Sequence, residues 1–460
     1  MDSKLAPNLA TTLEQYLASE MEQHAIPGLG VTIARDGHIL HVSGYGLANV
    51  EHNVRATPDT LFHSGSTGKM FTAAAVLMLI QDGRIGLDHL LKRYIPEGPE
   101  SWNEITISQL LSMTSGLGNF AESFAPMPIR DKIVPINQWQ DHSDEQLIAL
   151  AALSPLLFAP GESYAYSNIG YVLTGLIIAR ICGKPYYEFL RERLFQPIGM
   201  ASAREASWFD IVPNRAAGHS LRNDRLHNNQ WTAPTLLRTG DGGLYFSPRD
   251  IAHWFVELDS PRMFNPDSIE RMFEPALMRD GRPAFNGYAL GWQNSEARGH
   301  RKIRHGGTWD GFRAEFIRFP TQRLSVAVLA NLEQAQVARI GQEIAGLVEP
   351  AVAAYQPIAE TNPGATQRDD DLLRAIAARR ASRDAFSEKA WQEWSHNWFE
   401  QALGETETDL AAVPLELVDH VGDGAAYKRR YRLPTGRYHM HWMVQRAADG
   451  RVTEMRFHME

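Results

Sequence analysis

Residues 70–80, MFTAAAVLMLI, leave almost no polar face in any regular conformation. Wound as a helix, the run is apolar on nearly every side, and such a helix is buried rather than laid on a surface. That demands a domain large enough to surround it, and 460 residues at 44% hydrophobic content supply an ample core. Asp82-Gly83 ends the helix in the usual way for a C-terminus. At the other end stands Ser66-Thr67-Gly68-Lys69, where backbone N–H groups and the positive dipole end favour developing negative charge. Lys69, three residues after Ser66, lies about one turn on along the same face, so its amine can reach the serine hydroxyl. A desolvated lysine has a lowered pKa and can take the proton that a serine loses in attacking a carbonyl. Ser-x-x-Lys alone is weak, expected about once by chance in a chain of this length. The buried helix behind it adds weight.

The rest of the chain organises around this core. Residues 8–23 read as an amphipathic helix ending before Ile26-Pro27-Gly28. GLGVTIARDGHILHVSGYG follows, two β-rich runs joined by Asp36-Gly37, the strongest short hairpin signal. A second hairpin is expected over residues 314–331, and the sequence between the two is mostly helical. The predicted fold class is α/β (α+β): an antiparallel sheet closed by both ends of a domain, flanked by helices, with an all-α subdomain. The first domain spans 1–350. Residues 351–371 read as a polar linker. Residues 372–460 read as a separate α+β module, with a helical stretch over 372–403 and four strands separated by Gly422-Asp423-Gly424, Pro434-Thr435-Gly436 and Asp449-Gly450. Its pattern of a helix and a strand meander is loosely like an NTF2-type cone.

Charge and composition exclude several classes. Lys and Arg number 45 against 54 Asp and Glu, a formal net charge of −9, which argues against a nucleic-acid partner. No window approaches the ~18 apolar residues of a membrane span, and the N-terminus lacks the apolar core of a signal peptide. The expected compartment is cytoplasmic, or periplasmic or secreted had a leader been removed. Cys182, the only cysteine, allows no internal disulfide and reads as a buried structural thiol. No cofactor and no metal are expected. His439 and His441 alternate along one strand with His420 and His458 nearby, yet no carboxylate or cysteine pattern completes a metal site. That strand is expected to pack Tyr438, Met440 and Trp442 on one face. Gly-x-Ser-x-Gly, His-Glu-x-x-His, P-loop and dinucleotide signatures are all missing.

Three short motifs then take on a joint meaning. Ser66-Thr67-Gly68-Lys69, Tyr166-Ser167-Asn168 and His305-Gly306-Gly307 resemble, in order and spacing, the signature of the serine β-lactamase and penicillin-binding-protein superfamily. Similarity is greatest to class C β-lactamases, family VIII carboxylesterases and DD-peptidase-like hydrolases. It extends to the flanking text LFHSGSTGKMFTAAAV, ITISQLLSMTSGL, YAYSNIGYVLTGLII, GGLYFSPRDIAHWF, YALGW and HGGTWDGF, and covers roughly residues 10–345. The resemblance implies Ser66 as nucleophile and Lys69 as its base. It implies Tyr166 as proton relay and Asn168 as an amide that contacts substrate and holds Lys69. His305 stands where β-lactamases usually carry a lysine. The backbone N–H groups of Ser66 and Thr308 would form the oxyanion hole, with Gly306 and Gly307 letting the strand edge approach substrate closely.

His305 is the departure from the β-lactamase pattern. A permanent cation there suits a substrate carboxylate, and histidine, with an unperturbed pKa near 6.5, supplies that charge only partly at neutral pH. The expected substrate is therefore a small-molecule ester or amide: carboxylesterase first, D-amino-acid peptidase or amidase second, β-lactamase third. From another class, a non-turnover sensor or scaffold stands as the competing reading, and homo-oligomerisation is left open. Trp309, Asp310 and Arg313 follow the third motif; they either line the pocket or serve as structure, with Arg313 an alternative carboxylate receiver or a surface ion pair. Residues 118–142 read equally as a lid or as a packed loop.

Overall fold

The computed structural model describes residues 4–121, 134–135, 141–207, 209–229, 239–394, 412–422, 424–434 and 439–459. The chain divides into two compact units, Met1–Glu349 and Pro350–Glu460. Apart from its two ends and residues 134–135, the segment expected as a lid or packed loop lies outside the described residues.

In the first unit the strands β1 Gly28–Arg35, β2 His38–Asn49, β3 Val54–Arg55, β4 Gln293–Ala297, β5 His300–Trp309, β6 Phe312–Phe319 and β7 Leu324–Ala330 form one sheet. Their order is β4-β5-β6-β7-β1-β2-β3, with every neighbouring pair antiparallel. The expected closure by both ends of the domain is the pairing of β1 with β7, from Leu29 opposite Ala330 to Arg35 opposite Leu324. Asp36 and Gly37 both take positive φ, 53° and 74°, which matches the twist of a tight hairpin. Helix Pro248–Asp259 covers one face of the sheet, with Pro248 against Gly30, and helix Val337–Val348 covers the other, with Gly341 against Val328. Strand β1 is accordingly buried along all but its last residue.

The apolar run forms helix Lys69–Gln81, buried continuously from Lys69 to Leu79. Aromatic rings crowd it: Phe71 lies 5.1 Å from Trp254 and 5.4 Å from Phe195. Short strands that leave no periodic trace in the sequence complete the unit. Phe62–His63, Leu244–Phe246 and Arg204–Glu205 make a three-stranded sheet. Cys182 is half-buried rather than buried, because it ends helix Asn168–Cys182 just before the left-handed Gly183. Among the described residues no helix is long and apolar enough to cross a membrane.

The second unit corrects the linker expectation. Residues 363–371 are helical, the first part of helix Pro363–Ala377, started by Asn362 Oδ1, which accepts the Ala365 N–H at 3.1 Å. Its run of aspartates is only partly solvated. Asp369 is fully buried, where it accepts from Arg446 Nε at 2.8 Å and from the hydroxyls of Tyr431 and Tyr427 at 2.8 and 3.1 Å. The helical stretch expected to reach 403 stops at Ala378. Arg379 turns left-handed at φ 56° and the Arg380 N–H returns to Ala375 O, a Schellman closure. A shorter helix, Glu388–Trp394, follows, and residues 395–411 lie outside the described residues. Strands Glu416–Val421, Tyr427–Pro434, His439–Arg446 and Val452–Met459 make an antiparallel meander. Met440 and Trp442 face its core, while His441 is buried with its ring 5.6 Å from Tyr355.

Candidate active site

Between Thr60 and Leu79, Ser66 is the one residue that is not buried. It sits in a 3₁₀ turn, Gly65–Gly68, wedged between strand Phe62–His63 and the start of helix Lys69–Gln81. Gly65, at φ 48°, permits this turn: a Cβ there would lie 2.5 Å from Thr308 N, so only glycine lets the turn lie against β5.

Lys69 is fully buried, and its Nζ reaches three oxygens: Ser66 Oγ at 3.1 Å, Asn168 Oδ1 at 2.7 Å and the carbonyl of Asp241 at 2.7 Å. Among the described residues no carboxylate pairs with it. Asn168 is held at the first position of its helix by Ser167, which caps it by accepting the Gly170 N–H at 3.3 Å and donates to Gly118 O at 2.7 Å. The Tyr166 ring centroid is 5.0 Å from Lys69 Nζ, with Tyr171 on another side at 5.6 Å.

His305 is 2% exposed, and burial, helped by the charge of Lys69, lowers its pKa to about 3. The ring is therefore neutral at ordinary pH, which corrects the expectation of a partial cation. Gly306 O lies 2.7 Å from Nδ1 and can only accept, so Nδ1 carries the proton. Nε2, 2.9 Å from Tyr288 Oη, then accepts the phenol proton. Burial pushes the Tyr288 and Tyr171 phenols well above their usual range, so both stay protonated. His305 nevertheless faces the constellation, its ring 6.5 Å from that of Tyr166.

The glycines of the third motif have close neighbours within the chain itself. A Cβ on Gly307 would lie 2.2 Å from Ser64 O, and one on Gly306 would lie 3.1 Å from Glu315 Oε2. Their missing side chains make room for the nucleophile turn on one face and for the Arg304–Glu315 ion pair on the other. Thr308 is exposed. Trp309 is half-buried and stacks on His63, and Arg313 lies across from Thr308 with Nη1 donating to Phe312 O at 3.0 Å.

Two contributors carried no role in the sequence. Tyr288 sits in YALGW, a stretch recognised only as flanking text. Segment 239–243 lays three successive carbonyls on the motif helix and the residues leading into it: Gly240 O on Thr72 Oγ1, Asp241 O on Lys69 Nζ and Gly242 O on Ser64 Oγ. Its glycines are the only signal, since a Cβ on Gly240 would lie 2.6 Å from Tyr171 O and one on Gly242 2.5 Å from Gly65 O. Among the described residues no group of three or more His, Cys, Asp or Glu is arranged to hold a metal.

Comparisons with known proteins bear on the family and the fold. Residues 13–348 match the family model described as Beta-lactamase. The chain is 25% identical over 354 residues to Protein flp of Staphylococcus aureus (strain N315), covering 74% of this chain and 67% of that protein. To a D-aminopeptidase of Gluconobacter oxydans (strain 621H) it is 29% identical over 365 residues, covering 77% and 66%. These matches span about two thirds of each relative's length. In fold it is similar to the octameric penicillin-binding protein homologue from Pyrococcus abyssi, with a TM-score of 0.64 at 20% identity and 98% of each chain covered. With a family match running from the opening helix to the last helix of the first unit, the chain belongs to the β-lactamase family of serine hydrolases.

Proposed function

We propose that the protein cleaves a small ester through a covalent acyl-enzyme on Ser66, as a carboxylesterase. One observation carries this reading: the only residue of its segment open to solvent has its hydroxyl 3.1 Å from a buried amine whose other contacts are fixed. Asn168 Oδ1 and Asp241 O each take one N–H of Lys69. The remaining position of Nζ points at Ser66. In the neutral amine it is the lone pair that receives the serine proton, and in the ammonium it is the N–H that gives the proton back. In acylation the Ser66 Oγ–acyl bond forms as this proton moves to Nζ, and the leaving group departs with a proton relayed through Tyr166. Water then attacks the acyl carbon, its proton returns through Tyr166 and Lys69, and Ser66 regains its hydroxyl. The amides of Ser66 and Thr308 hold the oxyanion, each worth about 2.7–4 kcal/mol in well-studied hydrolases. A residue in the first turn of a helix has no intrahelical acceptor for its N–H, which suits Ser66 to that role.

Neutral His305 supports an ester over a substrate that must present a carboxylate, since both ring nitrogens are already engaged. A D-amino-acid peptidase or amidase is the second reading, favoured by the similarity to a D-aminopeptidase. β-Lactamase activity ranks third. The octameric assembly of the similar Pyrococcus protein supports a homo-oligomer. The test is cleavage of 4-nitrophenyl butyrate by rapid mixing, comparing the protein with Ser66→Ala. Turnover that depends on Ser66 supports the proposal. A stoichiometric burst that stalls moves the reading to a peptidase or a non-turnover sensor, and equal rates refute the assignment of Ser66.

A further inference from the structure

His63 lies two residues before Gly65 and three before Ser66, yet no motif claims it. It is 1% exposed, and burial alone lowers its pKa to about 3, so the ring is neutral. Nδ1 lies 3.0 Å from the Gly65 amide nitrogen and accepts its proton. Nε2 makes no hydrogen bond among the described residues, so the contact with Gly65 is the ring's one polar bond. The ring lies flat on Trp309, with centroids 4.8 Å apart and planes 12° apart. Tyr245, its cross-strand partner, meets it edge-on at 5.4 Å, and Phe312 lies 6.2 Å away. Trp309 and Phe312 are the closing pair of the β5–β6 hairpin, and Thr308 immediately precedes Trp309.

The same imidazole thus grips both halves of the oxyanion pocket. Its nitrogen sets the peptide plane of Gly65, directly before the Ser66 amide. Its face sets the hairpin tip that carries the Thr308 amide. Those halves already touch, given how near a Gly65 side chain would come to Thr308 N. We infer that His63 is a positioning residue for the reaction: through its Nδ1 bond to the Gly65 N–H and its stack on Trp309 it fixes the Ser66 and Thr308 amides at the spacing that an oxyanion needs. The inference rests on the acyl-enzyme reading above. It differs from a packing role in requiring an acceptor at the Nδ1 position, which a phenyl ring of similar shape cannot supply.

The experiment compares His63→Phe, His63→Asn and His63→Gln with the unaltered protein and Ser66→Ala. Turnover of 4-nitrophenyl butyrate and the rate of Ser66 labelling by a fluorophosphonate are read together with melting temperature. Asparagine places its Oδ1 near the Nδ1 position, whereas glutamine moves the acceptor outward. Misplaced catalytic geometry of this kind costs up to about 100-fold, so His63→Phe should lower kcat and labelling by about 10- to 100-fold with KM changed less than about twofold. His63→Asn should recover most of the rate, and His63→Gln should not. If His63→Phe does not fold, the Asn and Gln pair still decides the matter: equal kcat in those two overturns the inference. Ser66-dependent turnover left untouched by His63→Phe overturns the role of His63 alone. Equal rates in Ser66→Ala and the unaltered protein would instead remove the acyl-enzyme reading, and this inference with it.

Discussion

His305 and His63 are neutral for the same reason, removal from water, and that ties stability to pH while leaving the charge of both rings constant during catalysis. Unfolded, each imidazole binds a proton below its ordinary value of 6.5; folded, each stays neutral down to about 3. Between those values the unfolded state binds more protons, so stability falls as pH drops, by up to ~1.4 kcal/mol per pH unit for each ring. His41 and His219, also lowered by burial, add in the same direction. Urea midpoints measured from about pH 7 to pH 5 should therefore fall less steeply in His305→Asn than in the unaltered protein; parallel slopes would contradict the neutral ring. Activity should behave otherwise. Since His305 does not titrate in the working range, His305→Asn should lower kcat/KM without changing the shape of its profile between about pH 5 and 8. Losing an ionisation near 6 would show that His305 changes charge during turnover. Asp241→Ala belongs here too. Lys69 is held by the carbonyl of residue 241, so this variant should keep activity within a few-fold, whereas Lys69→Ala should slow acylation by orders of magnitude. Rapid-mixing burst rates separate the two.

Single elements explain why part of the site was legible in the sequence and part was not. Ser66 and Lys69 could be read because a helix without a polar face must be buried and its head must open somewhere. Asn168 and Tyr166 were named through the family resemblance of their motif, and the cap by Ser167 at that helix start is what the structure adds. The 239–243 segment could not be read, because its contribution is three main-chain oxygens, and main-chain atoms have no letter in the sequence. The protonation of His305 could not be read either, since it depends on burial and on the charge of Lys69, far away in the chain. Gly307 has a neighbour that the sequence did not show: its missing side chain admits Ser64 O. Gly307→Ala should accordingly destabilise the protein by at least ~2 kcal/mol, as overpacking does. Gly83→Ala makes a control, for at φ 70° it meets nothing within 4 Å, and it should cost about 1 kcal/mol from backbone strain alone. Thermal melts of the two variants check the difference, and equal shifts would refute the close approach.

At the scale of the whole chain, the hairpins, the antiparallel sheet and the four C-terminal strands were legible from turn chemistry and alternation. Helix Pro363–Ala377 was not, because a run of aspartates reads as solvated when the partners that bury one of them, Tyr427, Tyr431 and Arg446, lie some 60 to 80 residues further on. Removing one partner of such a pair leaves an uncompensated charge. Asp369→Ala should therefore destabilise the second unit by about 3–5 kcal/mol; calorimetry would show it, and an unmoved transition would refute the burial. The sheet of the first unit has a further consequence, one of timing. Strand β1 is made well before β7, which pairs with one of its edges from about 300 residues later. At ~5–20 residues per second a ribosome takes roughly 15–60 seconds to supply that partner. During that interval the opening hairpin carries an apolar edge with nothing to hydrogen-bond it, the condition in which strands find the wrong neighbour. Yield of soluble protein should thus be governed by how that edge is shielded during synthesis, more than by the stability of the finished fold.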